Sequence, residues 1–339
     1  MEPNKMRAVV YTEYGPPEVL GLTEVEKPVP KDNEVLIRIR ATTVNYGDLL
    51  ARNFRYVSSS EFAMPMLFWM IAKIAFGRRK PRKKILGNEF SGVIEAIGRN
   101  VTLFKKGDDV FGCSSQKMGA YAEYIALPED GILSLKPSNM SFEEAAVVPY
   151  GSIMALNLLK RAKIKSGDKV LINGASGGIG SATVQLAKSQ YDVEVTGVCG
   201  TPRLEFVRSL GADKTIDYTK EDFTEHKEKY DVIFGGLGKT PYSRVKHSLA
   251  ENGRYVLSSF KLRQLGQMLR TKAFGRKKVI CALLPEKGED LRTCKAMIED
   301  GKIRAIIDKH FRIEEIVDAH RYVEEGHKRG HIAILGFDE

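Results

Sequence analysis

Lys169-Val-Leu-Ile-Asn-Gly-Ala-Ser-Gly-Gly-Ile-Gly180, running into Ser181-Ala-Thr-Val-Gln-Leu-Ala-Lys188, constrains the fold more than any other stretch of this chain. An apolar run, a glycine cluster and an amphipathic run predict a buried strand, a tight turn and a helix in immediate succession. A sheet presents a helix N-terminus to a phosphate in this way. The first N–H groups of a helix lack carbonyl partners, and the helix dipole adds positive potential there. The spacing predicts a dinucleotide pyrophosphate along Ser176, Gly177, Gly178 and Ile179, with Ala175 where G-x-G-x-x-G has its first glycine. Gly177 would let the backbone approach phosphate oxygens, and Gly180 would let the helix pack tightly on the strand. Glycines alone also fit a strand–helix turn with no ligand, so the downstream pattern matters.

That pattern alternates. Val193–Val198, Thr215–Asp217, Tyr230–Phe234 and Arg254–Leu257 read as strands, and Pro202–Leu210 and Pro241–Leu249 as helices, the first capped by Gly211. Strands alternating with helices predict right-handed crossovers and a parallel, doubly wound α/β sheet. The first third differs. Val35–Ala41 alternates apolar and basic residues, as a half-exposed antiparallel strand would, and glycines at 87, 92, 98, 107, 112 and 119 punctuate a β-rich domain. After about residue 285, amphipathic helices are expected around Leu291–Ile298 and Ile313–Val323, then a strand, Ile332–Leu335. With the parallel sheet already complete, this tail should return to the first domain.

The net charge of +10 favours anionic ligands, phosphorylated cofactors included. No nucleic-acid-binding motif accompanies it, so no nucleic-acid partner is expected. The apolar run Met64–Ala72 is too short to span a bilayer, and Lys73 interrupts it. The four cysteines (Cys113, Cys199, Cys281 and Cys294) show no CxxC spacing, and Lys5–Tyr11 has no signal-peptide character. Reduced thiols and a cytoplasmic location are expected.

Further landmarks are Val44-Asn-Tyr-Gly-Asp48, Gly87-Asn-Glu-Phe-Ser-Gly-Val93, Lys106-Gly-Asp-Asp-Val-Phe-Gly112, Gly119-Ala-Tyr-Ala-Glu-Tyr124, Ala145-Ala-Val-Val-Pro149 and Ser209-Leu-Gly-Ala-Asp213. With the glycine turn they resemble, in order and over nearly the full length, the medium-chain dehydrogenase/reductase superfamily, in its zinc-independent quinone oxidoreductase group. The resemblance implies a GroES-like β-rich catalytic domain (1–127 and 285–339), a Rossmann NAD(P)-binding domain (128–284), an active-site cleft at their junction and a homodimer. Zinc-dependent members carry a cysteine before the first-domain helix and a Gly-His-Glu motif. Here Asn45 stands near the first position and Asn88 replaces the histidine. Amides bind zinc poorly, so no zinc is expected.

Oxidising a simple alcohol benefits from a metal that stabilises the alkoxide. Hydride delivery from a nicotinamide to a quinone or α,β-unsaturated carbonyl can instead rely on hydrogen-bond donors at the developing oxyanion. The candidates are the Tyr46 hydroxyl and the Asn45 amide. In the plainer reading Tyr46 is a pocket wall, while Asn45 and Asp48 cap a helix starting near Gly47. The nicotinamide is expected near Tyr46, Tyr150 and the Phe234–Gly238 loop, with Asn45, Gly236 and Leu237 among the cofactor-binding residues and the Gly330-His331 turn closing the site from the tail. Gly235 stands where relatives carry Asp. That leaves open a regulatory or scaffolding cofactor binder with weak turnover, or an alcohol dehydrogenase-like protein.

No carboxylate precedes Glu205 at the end of the second strand, where one would repel a 2′-phosphate. Thr201 and Arg203 could donate to that phosphate, and Tyr218 would flank the adenine. NADP(H) is therefore favoured over NAD(H). Tyr242 and Lys246 mimic the Tyr-x-x-x-Lys pair of short-chain dehydrogenases, but they lie too near the glycine turn and read as surface residues. Segment Phe62–Lys84, holding the only tryptophan (Trp69) and a basic cluster, admits three readings. It is a covering helix with Met64, Leu67, Phe68 and Ile71 on one face, a lid over a lipophilic acceptor, or a peripheral membrane contact. The stretch Leu265–Lys278 has similar character.

Overall fold

A computed structural model describes every residue except 1–3, 60, 63, 237–239, 283–285, 327, 338 and 339. The chain divides into two units, Met1–Val57 with Met70–Tyr150 and Glu286–Glu339, and Ser58–Trp69 with Gly151–Pro285.

The first unit is built on strands. β1 (Lys5–Val10) and β2 (Gly21–Glu26) form an antiparallel pair. β3 (Glu34–Thr43) is followed by helices α1 (Tyr46–Arg52) and α2 (Met66–Phe76), the latter running across the division between the units. Then come β4 (Glu89–Ile97), β5 (Asp109–Cys113), β6 (Tyr124–Pro128), β7 (Ile132–Leu135), α3 (Phe142–Ala146) and the start of α4 (Pro149–Ala162). After the second unit the chain adds α9 (Gly288–Glu299), β14 (Ile307–Arg312), α10 (Ile316–Glu324) and β15 (His331–Leu335). The resulting seven-stranded sheet has the order β14-β15-β3-β4-β5-β7, with β6 also on β3. β15 pairs antiparallel with β3, so the tail does return to the first third of the chain.

β3 is more buried than a half-exposed strand. Only Arg40 is exposed, with Glu34 and Arg38 part-covered, because β15, β4 and β6 all pair with it. Val35, Ile37, Ile39, Phe90, Ile94 and Val110 form the core beneath. At the end of α1, the buried Arg52 donates to Gly15 C=O (3.1 Å), His320 Nδ1 (2.8 Å) and Glu324. Burial and the guanidinium lower the His320 pKa to about 3, so the ring is neutral and can accept. This network fixes the helix that begins at Tyr46.

The second unit holds β8 (Lys169–Asn173), α5 (Gly178–Gln190), β9 (Glu194–Cys199), α6 (Leu204–Ser209), β10 (Lys214–Asp217) and β11 (Tyr230–Phe234). α7 (Tyr242–Val245), β12 (Leu249–Leu257), α8 (Leu262–Phe274) and β13 (Lys278–Cys281) complete it. All six strands are parallel, in the order β10-β9-β8-β11-β12-β13. The chain reverses direction across the sheet between β8 and β11. Such a reversal leaves a crevice at the carboxyl ends of the central strands, where ligands of doubly wound sheets bind. The predicted helix Pro241–Leu249 shrinks to four residues, because Leu249 instead pairs with Tyr230 as the start of β12. Tyr242 is not a surface residue as expected. It is part-buried, stacks on Tyr255 (6.5 Å between ring centroids) and packs on the core with Leu265 and Met268, while Lys246 is exposed.

Candidate functional site

At the end of β8, Gly174 and Ala175 donate their N–H groups to Val198 C=O (3.0 Å each), which hooks the turn onto β9. Gly174 has φ +85°, a conformation that favours glycine. A Cβ on Gly180 would lie 2.1 Å from Gly174 O, so the helix can approach the turn this closely only with glycine there. Gly177 is different. Its φ of −78° suits any residue, and its Cβ would meet nothing nearer than Gly174 O at 3.5 Å. Neither backbone strain nor packing requires glycine at 177. The first intrahelical bond of α5 runs from Ser181 N–H to Gly177 C=O (2.8 Å). The N–H groups of Gly178, Ile179 and Gly180 precede it and have no intrahelical acceptor. These residues and Ser176 are partly exposed, and Ala175 is buried beneath them. A helix end of this kind can hold an anionic group.

At β11 the chain leaves through Gly235 and Gly236. A Cβ on Gly235 would fall 2.5–2.6 Å from Leu257 and Tyr255 side-chain atoms, so those side chains fill the space a larger residue would need. Gly236 (φ +49°) passes close to Asn173 C=O, while Leu237 lies outside the described residues.

Beyond β9, Thr201 donates its hydroxyl to Asp217 at the end of β10. Thr219 adds its own hydroxyl (2.7 Å) and N–H (3.0 Å) to the same carboxylate. The Thr201 hydroxyl, then these donors, hold the Asp217 pKa down to about 2. Thr201 is thus already engaged by an internal carboxylate that sequence reasoning passed over, since 16 residues separate the partners. Arg203 closes the short turn Thr201–Arg203, and Tyr218 is exposed with its hydroxyl 3.3 Å from where a Gly200 Cβ would stand.

In the first unit, α1 begins one residue earlier than expected, at Tyr46, with Asn45 as its N-cap. Asn45 N–H donates to Asp48 Oδ2 (2.9 Å), and the other Asp48 oxygen accepts from Gly87 N–H (3.0 Å). Asp48 therefore ties the loop to the Gly87 turn. Burial raises its pKa to about 6 against the pull of these N–H groups. Asn45 also donates through its side-chain amide to Glu89 Oε2, and Glu89 Oε1 accepts from Tyr150 N–H (2.7 Å). Glu89 thus joins two predicted site residues and fills the N-terminus of α4. Burial, with Asp48 and Glu286 nearby, raises its pKa to about 8 despite both donors. Tyr46 is 56% exposed. Burial and the neighbouring carboxylates raise the Tyr150 hydroxyl pKa, so it stays protonated.

Glu89 was legible as a landmark but not as a site residue. The available signal was a lone acid beside Phe90 in an otherwise uncharged strand start, which must be paired once buried. Across from it, in register on β5, Cys113 is buried, and burial, with Glu89 and Glu286 nearby, raises its thiol pKa. Ser115, with an unusual φ of +51°, donates to Glu286. His331, at the start of β15, is buried, and its Nδ1 finds no partner among the described residues. Burial and Lys328 lower its pKa to about 3. Among the described residues no group of three or more His, Cys, Asp or Glu side chains is placed to hold a metal ion.

Residues 31–137 match the family described as "Alcohol dehydrogenase GroES-like domain", and residues 210–334 that described as "Zinc-binding dehydrogenase". The chain is 31% identical to 2-methylene-furan-3-one reductase of Solanum lycopersicum, over 98% of this chain and 79% of that protein. It is 29% identical to NADPH-dependent alkenal/one oxidoreductase, chloroplastic, of Arabidopsis thaliana, over 98% of this chain and 80% of the relative. Among solved structures it resembles the quinone oxidoreductase from Coxiella burnetii, with TM-score 0.82, 28% identity, and 98% and 99% of the two chains covered. With its GroES-like sheet, its parallel six-stranded sheet and a full-length relative at this identity, the chain belongs to the medium-chain dehydrogenase/reductase superfamily, in its quinone oxidoreductase-like group.

Proposed function

We propose that this protein is a zinc-free, NADPH-preferring oxidoreductase that transfers hydride to a quinone or an α,β-unsaturated carbonyl compound. The observation that carries the reading is the glycine turn. It stands where the sheet reverses, and three helix N–H groups without intrahelical acceptors belong to partly exposed residues beside Gly177, which no internal contact requires to be glycine. Ala175, Ser176, Gly177, Gly178, Ile179 and Gly180 hold the pyrophosphate. Tyr218 borders the adenine, and Arg203 offers the 2′-phosphate a fork of donors. Asp217 has its carboxylate engaged by Thr201 and Thr219, with Lys220 Nζ 3.7 Å away. The bound nicotinamide supplies the hydride.

The chain's own part is to polarise the acceptor. Glu89 holds the Asn45 amide through one N–H, which leaves the second N–H for the acceptor oxygen. The exposed Tyr46 hydroxyl is the other donor. An amide paired to a buried acid is a poor zinc site, which suits conjugated acceptors, whose developing charge is delocalised, better than alcohols. The names of the tomato and Arabidopsis relatives point to the same acceptor class. The test follows NADPH consumption against quinones, enones, aldehydes and alcohols, with zinc measured in the same preparation. Turnover of quinones or enones by metal-free protein is the expected result. Alcohol oxidation lost on chelation would overturn the proposal, and NADPH binding with no turnover across the panel would favour the regulatory alternative.

A further inference from the structure

Helix α2 has its polarity inverted. Trp69, Ala72, Lys73 and Phe76, at helical spacing, are its part-covered stripe, and the opposite stripe exposes Leu67, Met70, Ile71 and Ile74. No residue of the helix is fully buried. Its only charge lies on the covered side, where Lys73 Nζ donates to Phe54 C=O (2.6 Å) and Arg55 C=O (2.8 Å) and sits 5.0 Å from the centre of the Phe54 ring. A helix facing water does the reverse. Leu67, Ile71 and Ile74 are each more than half exposed, and together with Met70 they form one contiguous apolar strip.

A basic turn is fixed at the end of this helix. Gly77 (φ +101°) reverses the chain, Arg82 N–H donates to Phe76 C=O (2.8 Å), and Tyr14 Oη holds Phe76 and Gly77 C=O (2.6 and 2.7 Å). Arg78, Arg79, Lys80, Arg82 and Lys84 are exposed, and none is ion-paired among the described residues. An apolar strip ending in unneutralised cations complements one kind of surface, an anionic phospholipid bilayer. Acyl chains accept the apolar stripe and headgroups accept the arginines and lysines. No described helix is long and apolar enough to cross a membrane, so the contact lies in the interface plane.

We propose that α2 and the basic turn at its end dock this protein onto anionic phospholipid membranes. The test sediments the full chain with vesicles of phosphatidylcholine, with and without phosphatidylserine, at low and high salt. Binding to the anionic vesicles is expected, weakened about tenfold without phosphatidylserine and again at high salt. The double variant Leu67→Glu/Ile71→Glu and the triple variant Arg78→Glu/Arg79→Glu/Lys80→Glu should each lower binding at least about tenfold while keeping the melting temperature of the parent. Three results would overturn the proposal. The protein could remain in the supernatant. Binding could survive Leu67→Glu/Ile71→Glu, which is plain electrostatic adsorption. Or the double variant could abolish a dimer seen by sedimentation without any lipid binding, which would make a second copy the occupant.

Discussion

Two helix N-termini in this protein treat their first N–H groups in opposite ways. At α4 the chain fills the position itself, with Glu89 accepting from Tyr150 N–H. At α5 it leaves Gly178, Ile179 and Gly180 N–H groups at a partly exposed glycine turn. Both ends attract an anion through unpartnered N–H groups and the dipole. Burial makes them different. The Glu89 pKa is pushed to about 8, so the helix end and the Asn45 amide do not outweigh the loss of water. An internal acid there serves as a rigid tie rather than as a stable charge. The exposed turn carries no such burden and suits an anion that arrives with a ligand.

The sharpest way to break the contrast is Gly177→Asp. The position has ordinary φ and room for a side chain, so the protein should fold, and a carboxylate against the pyrophosphate should weaken NADPH binding by about a hundredfold or more. Unchanged affinity by fluorescence titration would remove the α5 end from cofactor binding. Glu89→Ala tests the filled end. It leaves Tyr150 N–H and the Asn45 amide without acceptors, and urea unfolding should show a loss of about 2–4 kcal/mol. No loss would mean the tie is dispensable.

Glu89→Gln sharpens the electrostatic half of the argument. The acid's pKa rises from an ordinary 4.5 unfolded to about 8 folded, so the folded state holds the proton more tightly. That contribution is complete below about 4.5 and is lost as pH rises toward 8. Stability of the parent should therefore decline across this window, and the glutamine variant, which keeps an acceptor and adds donors, should show less of that decline. Parallel pH profiles would contradict the assignment. The smallest effect is expected from Arg203→Ala, which should lower the preference for NADPH over NADH about tenfold in KM. An unaltered ratio would place that side chain away from the 2′-phosphate.

The turn was readable in the sequence because its signals are local. The Lys169–Asn173 run, the glycines and the helical run lie within one short stretch, and β8 and α5 fall there. The filled end was not, because its partners are distant in sequence. Asn45, Glu89 and Tyr150 come from α1, β4 and α4, and only burial makes Glu89 require them. Asp217 escaped notice for the same reason, since its meaning depends on Thr201 across the sheet. In α2, hydrophobicity pointed to one apolar face containing Met64. The helix starts at Met66, Met64 packs instead into the second unit's core, and Leu67 and Ile71 face outward. Composition told that the segment was apolar but not which side was covered, because the part-covered Lys73 is paired with carbonyls from before the helix.

The most direct test of the account follows the hydride itself. Metal-free protein is supplied with NADPH deuterated at C4 of the nicotinamide and an α,β-unsaturated ketone, and the product is analysed by mass spectrometry and NMR. The account predicts one deuterium, from one face of the ring only, on the β-carbon of the saturated ketone. Product formed without deuterium at that carbon, or formed only after zinc is added, would contradict it.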